Sequence, residues 1–202
     1  PMQRPRIKQG LLDLRDGAGA KLTIRVSLDH STEALHDAER GEGSWAMTIA
    51  GLDWLAGNGF NIAIAGRTCW NEDEATARAG YARLIAARGW PIDAAHRKAL
   101  MLLPEMDADY AGPEITTRCW DILHKSPGDM MCATSRMVVK RRGAEQPTVL
   151  PCTLLPYDAA FEMGDTLASA AGADGAMFER GAVKLCHKNC AKFCVLGGGS
   201  CS

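Results

Sequence analysis

Four cysteines lie close together in the last part of this sequence, within the stretch 184–201. They are Cys186, Cys190, Cys194 and Cys201. The first three are four residues apart, and on an α-helix this spacing places three thiols on one face in successive turns. The three glycines at 197–199 would let the chain turn back and bring Cys201 toward the same point. Four converging thiolates suit either tetrahedral zinc or an iron–sulfur cluster.

The residues around these thiols favour the iron–sulfur cluster. Positive charge from neighbouring lysines favours the thiolate form, and the lysines are Lys184, Lys188 and Lys192. Backbone N–H groups of the glycine loop can donate hydrogen bonds to cluster sulfurs. Zinc sites commonly separate paired cysteines by two residues, whereas the gaps here are three, three and six. Zinc, disulfides and ordinary buried thiols remain alternatives, and His187 is a candidate replacement for one thiolate.

Cys132 and Cys152 form a second group of candidate ligands, with Cys119 as a candidate third member. Two short apolar runs, 138–139 and 149–150, lie between them on either side of a glycine and predict a β-hairpin. A hairpin would bring Cys132 and Cys152 to adjacent strand ends. Isolated buried cysteines remain the alternative interpretation, because this spacing alone is weakly specific.

The composition places the chain among α/β proteins with a proper core. It has 202 residues, of which 47% are hydrophobic, and a formal net charge of -1. This balance argues against nucleic acid or an anionic membrane as a main partner. No apolar run approaches the roughly 18 residues that span a bilayer, and the first residues lack a secretory signal. We therefore expect a cytoplasmic protein, in which eight cysteines favour metal or redox chemistry over disulfides.

Hydrophobic periodicity predicts three strands in the first half of the chain. Residues 22–28 alternate apolar and polar side chains, as in a half-buried strand. Residues 60–65 and 99–103 are short apolar runs typical of buried strands.

Two helices are predicted between these strands. The first covers 44–57, with Ser44 as its N-cap. The second follows Asn71 as its N-cap and ends at Gly89. Alternating strands and helices imply a parallel sheet, and ligands of such sheets gather beyond the carboxyl ends of the strands. Those ends are 27–30, 66–69 and 104–105.

The composition of the sequence changes near residues 111–113, after which prolines, glycines and cysteines become frequent. We predict two domains. Residues 1–112 would form a partial parallel (β/α) barrel of about three βα units. Residues 113–202 would form a small cysteine-rich α+β extension.

The segment Arg25–His30 reads Arg-Val-Ser-Leu-Asp-His and is followed by His36-Asp37, Arg40 and a helix start at 41–45. This order resembles the fourth strand and helix of radical S-adenosylmethionine (radical SAM) enzymes with SPASM or twitch-type C-terminal extensions. In that subgroup a Ser-x-Asp-Gly strand precedes a His-Asp pair and an arginine. His30 stands here where glycine is common.

The second half of the chain resembles the start of such an extension. The residues that carry this resemblance are Cys132, Gly143, Cys152 and Phe161 to Leu167. The interval from Gly143 to Cys152 is longer than the usual pattern. The resemblance implies that cysteines of the extension bind an auxiliary 4Fe–4S cluster. The ligand set it implies is Cys132, Cys152, Cys186, Cys190, Cys194 and Cys201.

The defining Cys-x-x-x-Cys-x-x-Cys motif of the family does not occur before residue 113. The chain therefore resembles the C-terminal part of such a protein, beginning around its third helix. Ser27 and Asp29 match positions that in the family approach the ribose and methionine parts of SAM. A hydroxyl and a carboxylate at a strand end can exchange hydrogen bonds with ribose hydroxyls.

Two functions follow as hypotheses. In the first, the intact protein is a radical SAM oxidoreductase or maturase that acts on a small molecule or peptide with electrons from a reductase, and this chain supplies part of the barrel and the auxiliary cluster. In the second, the chain is a non-catalytic zinc- or iron–sulfur-binding module that acts in electron transfer or partner binding.

Overall fold

The computed structural model describes residues 3–105, 109, 112, 115–171 and 189–196. The chain divides into two compact units, Pro1–Glu105 and Met106–Ser202, called unit 1 and unit 2 below. The predicted boundary after residue 112 stays a prediction, because residues 110, 111, 113 and 114 lie outside this description. No helix of the described ranges is long and apolar enough to cross a membrane.

Unit 1 alternates helices and strands around a parallel sheet. Its described elements are α1 (Pro5–Ala18), a 3₁₀ turn (Gly19–Lys21), β1 (Thr23–Ser27), α2 (Glu33–Arg40), α3 (Ser44–Gly57), β2 (Asn61–Arg67), α4 (Glu74–Arg88) and β3 (Leu100–Leu103). The three predicted strands and the helix over 44–57 are confirmed. The mixed α/β class is confirmed as well.

The sheet has the order β1-β2-β3, and both pairs are parallel, as predicted. Ile64 on the central strand lies opposite Val26 on one side and Leu100 on the other. The central strand β2 is mostly buried, whereas the edge strand β1 alternates between exposed and half-buried residues, as one exposed face predicts.

The core of unit 1 forms where α3 and α4 contribute apolar side chains against the sheet. Its fully buried members are Leu28, Leu52, Leu55, Ile64, Tyr81 and Leu100. The Tyr81 hydroxyl donates a 2.6 Å hydrogen bond to the Leu28 carbonyl, which satisfies the one polar atom that the ring buries. Burial is the main reason why the pKa of Tyr81 is raised, with the nearby carboxylates of Asp29 and Glu72 adding to the effect.

Both predicted N-caps are wrong by one or two residues. Helix α3 is capped by Gly43, and the Asp37 carboxylate accepts hydrogen bonds from the Gly43 and Trp45 amides and the Ser44 hydroxyl. Helix α4 is capped by Asp73, whose carboxylate accepts from the Thr76 amide at 2.7 Å. In each case a carboxylate reaches the orphan amides of the first turn. Gly89 ends α4 in the left-handed region, as predicted.

Unit 2 contains short elements in its described part. They are α5 (Thr117–Leu123), a 3₁₀ turn (Pro127–Asp129), α6 (Met131–Thr134), β4 (Met137–Val139), β5 (Thr148–Leu150), a second 3₁₀ turn (Ala159–Phe161), α7 (Leu167–Ala170) and a π-helix (Ala191–Leu196). The predicted hairpin is confirmed, because β4 and β5 are antiparallel with Val138 opposite Val149.

The packing of the unit 1 core can be tested at Gly66 on β2. A Cβ at this position would lie 2.7 Å from the Tyr81 Cζ atom, 2.9 Å from the Leu102 Cδ2 atom and closer still to the Tyr81 hydroxyl. Because Tyr81 is fully buried and bonded to Leu28, its ring has no room to move away. We expect Gly66→Ala to lower the free energy of unfolding by about 1–3 kcal/mol in urea titrations.

Gly10 on α1 is the matched control, because a Cβ there would meet nothing within 4 Å. Gly10→Ala should stabilise the helix by about 0.5–1 kcal/mol. Equal effects of the two substitutions would contradict the close approach of Tyr81 to β2.

Candidate functional site

The carboxyl ends of the three parallel strands lie side by side, as the sequence predicted. The Arg67 amide donates to the Asp29 carbonyl at 2.9 Å, and the Thr68 amide donates to the Leu103 carbonyl at 3.1 Å. These bonds continue the sheet ladder past the ends of β1, β2 and β3. The polar residues that follow each strand therefore meet at one edge, where ligands of parallel sheets bind.

Asp29 is the most tightly held group at this edge. Its residue is 4% exposed, and both carboxylate oxygens accept from Arg40, at 2.6 Å from Nε and 3.1 Å from Nη2. Its backbone amide donates to His36 Nδ1 at 3.1 Å. His36 and Arg40 are four residues apart on α2, so one helix face holds both the main chain and the side chain of Asp29.

His36 is a neutral, fully buried ring. Because a backbone amide can only donate, Nδ1 is unprotonated and the proton lies on Nε2, 3.5 Å from the Thr48 hydroxyl. Desolvation lowers the pKa of His36, and the neighbouring Arg40 charge acts in the same direction. The Asp29 and Asp37 carboxylates oppose this shift but do not reverse it.

A cavity of about 520 Å³ opens beside the end of β1. Ser27 lines it together with Arg40, and the other lining residues are Gln3, Ile24, Arg25, Val26, Ser44, Met47 and Thr48. Apolar side chains with a few hydroxyls and guanidinium groups are typical of a small-molecule site, and the volume lies within the usual range. Of the two predicted cofactor-binding residues, Ser27 lines the cavity, and Asp29 holds the Arg40 side chain that also lines it.

A second polar cluster joins the loop after β1 to the loop after β2. His30 Nε2 lies 3.2 Å from Glu72 Oε2, and His30 Nδ1 lies 3.0 Å from the Thr32 amide. The Trp70 ring packs against the imidazole, with 4.9 Å between centroids and an interplanar angle of 78°. Asn71, between Trp70 and Glu72, has a φ of 55° in the left-handed region that asparagine tolerates better than most residues.

Arg67 and Cys69 approach the same residue of α2. Arg67 Nη1 forms an ion pair with Glu39 Oε2, and Cys69 Sγ lies 4.0 Å from Glu39 Oε1. Burial raises the pKa of the Cys69 thiol, which Arg67 partly offsets. Burial therefore disfavours the thiolate form of Cys69.

In unit 2, several cysteines lie in one apolar core. Cys132 and Cys152 are buried members of this core, and Cys119 and Cys194 pack against it. Cys132 precedes β4 and Cys152 follows β5, at the end of the hairpin away from its turn. The hairpin prediction expected these two cysteines at adjacent strand ends, and the structure places them there.

The helix that carries Cys194 differs from the predicted one. Residues Ala191–Leu196 form a π-helix, with Cys190 immediately before it and 4% exposed. The i→i+5 bonding of a π-helix makes a turn slightly longer than the four-residue interval between Cys190 and Cys194. Short π segments are frequent at functional sites because they redirect side chains.

Hydrogen-bond donors surround the cysteines of unit 2. The Leu154 amide donates to Cys152 Sγ at 3.3 Å, and the Thr116 amide donates to Cys119 Sγ at 3.4 Å. The bond from the Thr116 amide lowers the pKa of Cys119 and so favours its thiolate. Trp120 is 7% exposed in this core, and its indole Nε1 has no hydrogen-bond partner among the described residues.

These cysteines suit a metal or cluster in donor type and burial. Within the described ranges, however, no group of three or more His, Cys, Asp or Glu side chains is close enough to hold a metal ion. The predicted ligands Cys186 and Cys201, and the alternative ligand His187, lie outside the described residues.

Sequence reasoning missed Glu72, Trp70, Glu39 and the capping role of Asp37. Trp70 and Glu72 lie in the loop between β2 and α4, so the strand-end argument would have found them if the second helix had been started at Glu74. Glu39 and Asp37 lie on α2, a short helix for which the sequence analysis makes no prediction.

A scan against models of known protein families finds no match, and neither does comparison with curated proteins or with solved structures.

The buried His36 predicts a loss of stability on mild acidification. Its pKa in the folded chain lies below the ordinary 6.5, so the unfolded chain takes up a proton first. The contribution of His36 is complete above about pH 6.5 and is lost as the pH falls toward the folded value. We expect urea titrations to give a lower free energy of unfolding at about pH 5.5 than at about pH 7.5.

His36→Gln should flatten this dependence, whereas substitution of the exposed His96 by Gln should preserve it. Asp37, whose pKa is lowered mainly by the bond from the Trp45 amide, contributes its full stabilisation above its ordinary value of 3.8 and loses it only as the pH falls below that value. An unchanged slope in His36→Gln would show that another group causes the acid sensitivity.

Proposed function

We propose that this chain is the C-terminal portion of a radical SAM iron–sulfur enzyme of the oxidoreductase or maturase type. Unit 1 would supply three βα units of a partial (β/α) barrel, and unit 2 an auxiliary 4Fe–4S cluster. The observation that carries the proposal is the apolar core of unit 2, which contains or touches Cys119, Cys132, Cys152 and Cys194.

The chemistry of this core supports a cluster over apolar filling. Thiolates next to backbone N–H donors are the usual surroundings of an iron–sulfur cluster, because such bonds tune its potential. Cys152 receives such a bond from Leu154. The buried Trp120 indole adds a further donor whose acceptor is not among the described residues. An acceptor such as a cluster sulfide would remove the cost of burying that N–H group.

The proposed ligands are those that the sequence indicated: Cys132, Cys152, Cys186, Cys190, Cys194 and Cys201. When bound, such a cluster would accept or donate one electron or hold a substrate. The chain itself would supply the thiolates, exclude water through the surrounding apolar residues and donate N–H bonds to sulfur.

The cavity beside β1 supports a nucleoside ligand in unit 1. Ser27 offers a hydroxyl that can donate to or accept from a ribose hydroxyl, and Ile24, Val26 and Met47 offer apolar contact. The guanidinium of Arg40, which Asp29 fixes through two hydrogen bonds, lines the same cavity and offers N–H donors that suit the carboxylate of an amino acid moiety. SAM carries a ribose, an apolar surface and an amino acid carboxylate, so it can make all three contacts.

A non-catalytic zinc- or iron–sulfur-binding module remains the second candidate. The same cysteine-rich core favours it, and it requires neither a SAM site nor a substrate. The coding sequence that precedes Pro1 distinguishes the two candidates, because an iron–sulfur cluster is compatible with both.

The cluster predicts a coloured protein. We expect the full chain, purified without oxygen, to be brown and to contain equal amounts of iron and acid-labile sulfide. Cys190→Ala should remove most of this iron and lower the unfolding temperature, because cluster binding also contributes folding free energy.

Cys69→Ala is the matched control, because Cys69 lies in unit 1 and should leave the iron content unchanged. Colourless protein with stoichiometric zinc would overturn the cluster assignment. Full iron retention in Cys190→Ala would remove that residue from the ligand set.

The enzyme hypothesis makes a separate prediction about the coding sequence. The reading frame that precedes Pro1 should encode a Cys-x-x-x-Cys-x-x-Cys segment, because SAM cleavage in this family requires a cluster on those three cysteines. An upstream frame without that segment would favour the non-catalytic module.

A further inference from the structure

The carboxylates at the carboxyl edge of the unit 1 sheet have partners of different charge. Arg40 binds Asp29 through two hydrogen bonds, and Arg67 forms an ion pair with Glu39. Glu72 has His30 as its partner instead. The state of the His30 ring therefore decides whether the charge of Glu72 is neutralised.

The hydrogen bonds of His30 require a neutral ring. Nδ1 accepts from the Thr32 amide at 3.0 Å and lies 2.8 Å from the Thr32 hydroxyl. An amide nitrogen has only a hydrogen to offer, so Nδ1 carries no proton. The single ring proton is on Nε2 and points to Glu72 Oε2, 3.2 Å away. Glu72 gains a hydrogen bond from His30 but no positive charge.

Glu72 is held in place and partly withdrawn from water. Its side chain is 25% exposed and that of His30 is 8% exposed. The loop Trp70-Asn71-Glu72 is shaped by the positive φ of Asn71, and the Trp70 ring packs against the imidazole of His30. The start of α4 does not explain the carboxylate, because Asp73 is the residue that caps this helix.

A partly buried carboxylate without a counter-charge is costly, and a bound cation would offset that cost. Oε2 already accepts from His30, and among the described residues Oε1 has no hydrogen-bond donor, which leaves it for a ligand. A guanidinium group prefers two available oxygens of one carboxylate, whereas an ammonium group acts as a point charge with three donors. One available oxygen therefore favours ammonium over guanidinium.

We propose that Glu72 binds the primary ammonium group of a small organic ligand at the carboxyl edge of the sheet. His30 acts as a positioning residue that fixes the carboxylate, and Trp70 packs against the His30 ring. This site goes beyond the proposed function and depends on neither a bound cluster nor SAM cleavage. Its ligand is a substrate amine or the ammonium group of SAM.

Nuclear magnetic resonance of the ¹⁵N-labelled full chain tests the site directly. The probe is n-butylammonium chloride, added at constant ionic strength, and the Trp70 indole and His30 ring signals report binding. We expect saturable shifts of these signals. Neutral n-butanol, which has the same alkyl chain, should not produce them. A second titration with SAM separates the two sources of the ammonium group: saturable shifts of the same signals at lower concentration than n-butylammonium assign it to SAM, and their absence assigns it to a substrate amine.

Substitution of Glu72 separates the effect of its negative charge on binding from the effect of its side-chain shape. Glu72→Gln keeps the size of the side chain and should weaken n-butylammonium binding at least tenfold, which corresponds to about 1.4 kcal/mol. Glu42→Gln removes an exposed carboxylate from the same unit and should bind like the wild type. His30→Gln should give an intermediate loss, because the carboxylate remains but is no longer fixed.

The proposal is wrong if Glu72→Gln binds n-butylammonium as the wild type does, or if n-butanol shifts the same signals equally. The absence of saturable shifts in the wild type would also overturn it. If Glu72→Gln fails to fold, the wild-type comparison of n-butylammonium with n-butanol still decides the question. Iron content plays no part in these measurements, so failure here is distinct from failure of the cluster assignment.

Discussion

The double attachment of Asp29 to helix α2 is the interaction on which the rest of unit 1 depends. A buried carboxylate requires a cation, and Arg40 provides one with two hydrogen bonds. A buried backbone amide at the end of an edge strand requires an acceptor, and the neutral His36 provides it. Because Arg40 and His36 both lie on α2, this one short helix fixes both the main chain and the side chain of Asp29 at the end of β1. Arg67 then aligns the end of β2 through the Asp29 carbonyl.

The parts of the fold that the sequence predicted are those that bury apolar surface with a regular period. Strands β1, β2 and β3 and helix α3 follow directly from their apolar residues, and their parallel order follows from alternation with helices. Helices α1 and α2 were not predicted, since α1 has no fully buried residue and α2 buries only His36. Helix α2 is held by polar contacts with residues distant in sequence, and periodicity carries no information about such contacts.

For the candidate sites, as for the fold, the sequence predicted the residues that topology brings together but not their partners. Strand ends indicated Ser27, Asp29 and Arg67 because the topology of a parallel sheet requires them to meet. The partners of these residues were not predictable, since a carboxylate that caps a helix or binds a guanidinium is chosen by three-dimensional proximity. In unit 2 the hairpin prediction placed Cys132 and Cys152 correctly at one end. The spacing of Cys190 and Cys194 suggested an α-helix, but the chain forms a π-helix there.

Within the described residues, the polar groups that folding leaves uncompensated are the ones from which the proposals for both units start. Folding selects against buried donors without acceptors and buried charges without counter-charges, because each lowers a small net stability. Asp29 and His36 meet this requirement within the chain. Trp120 Nε1 has no acceptor in the described residues, and Glu72 has a neutral partner. A ligand that supplies an acceptor to the first, or a cation to the second, turns a local cost into binding free energy.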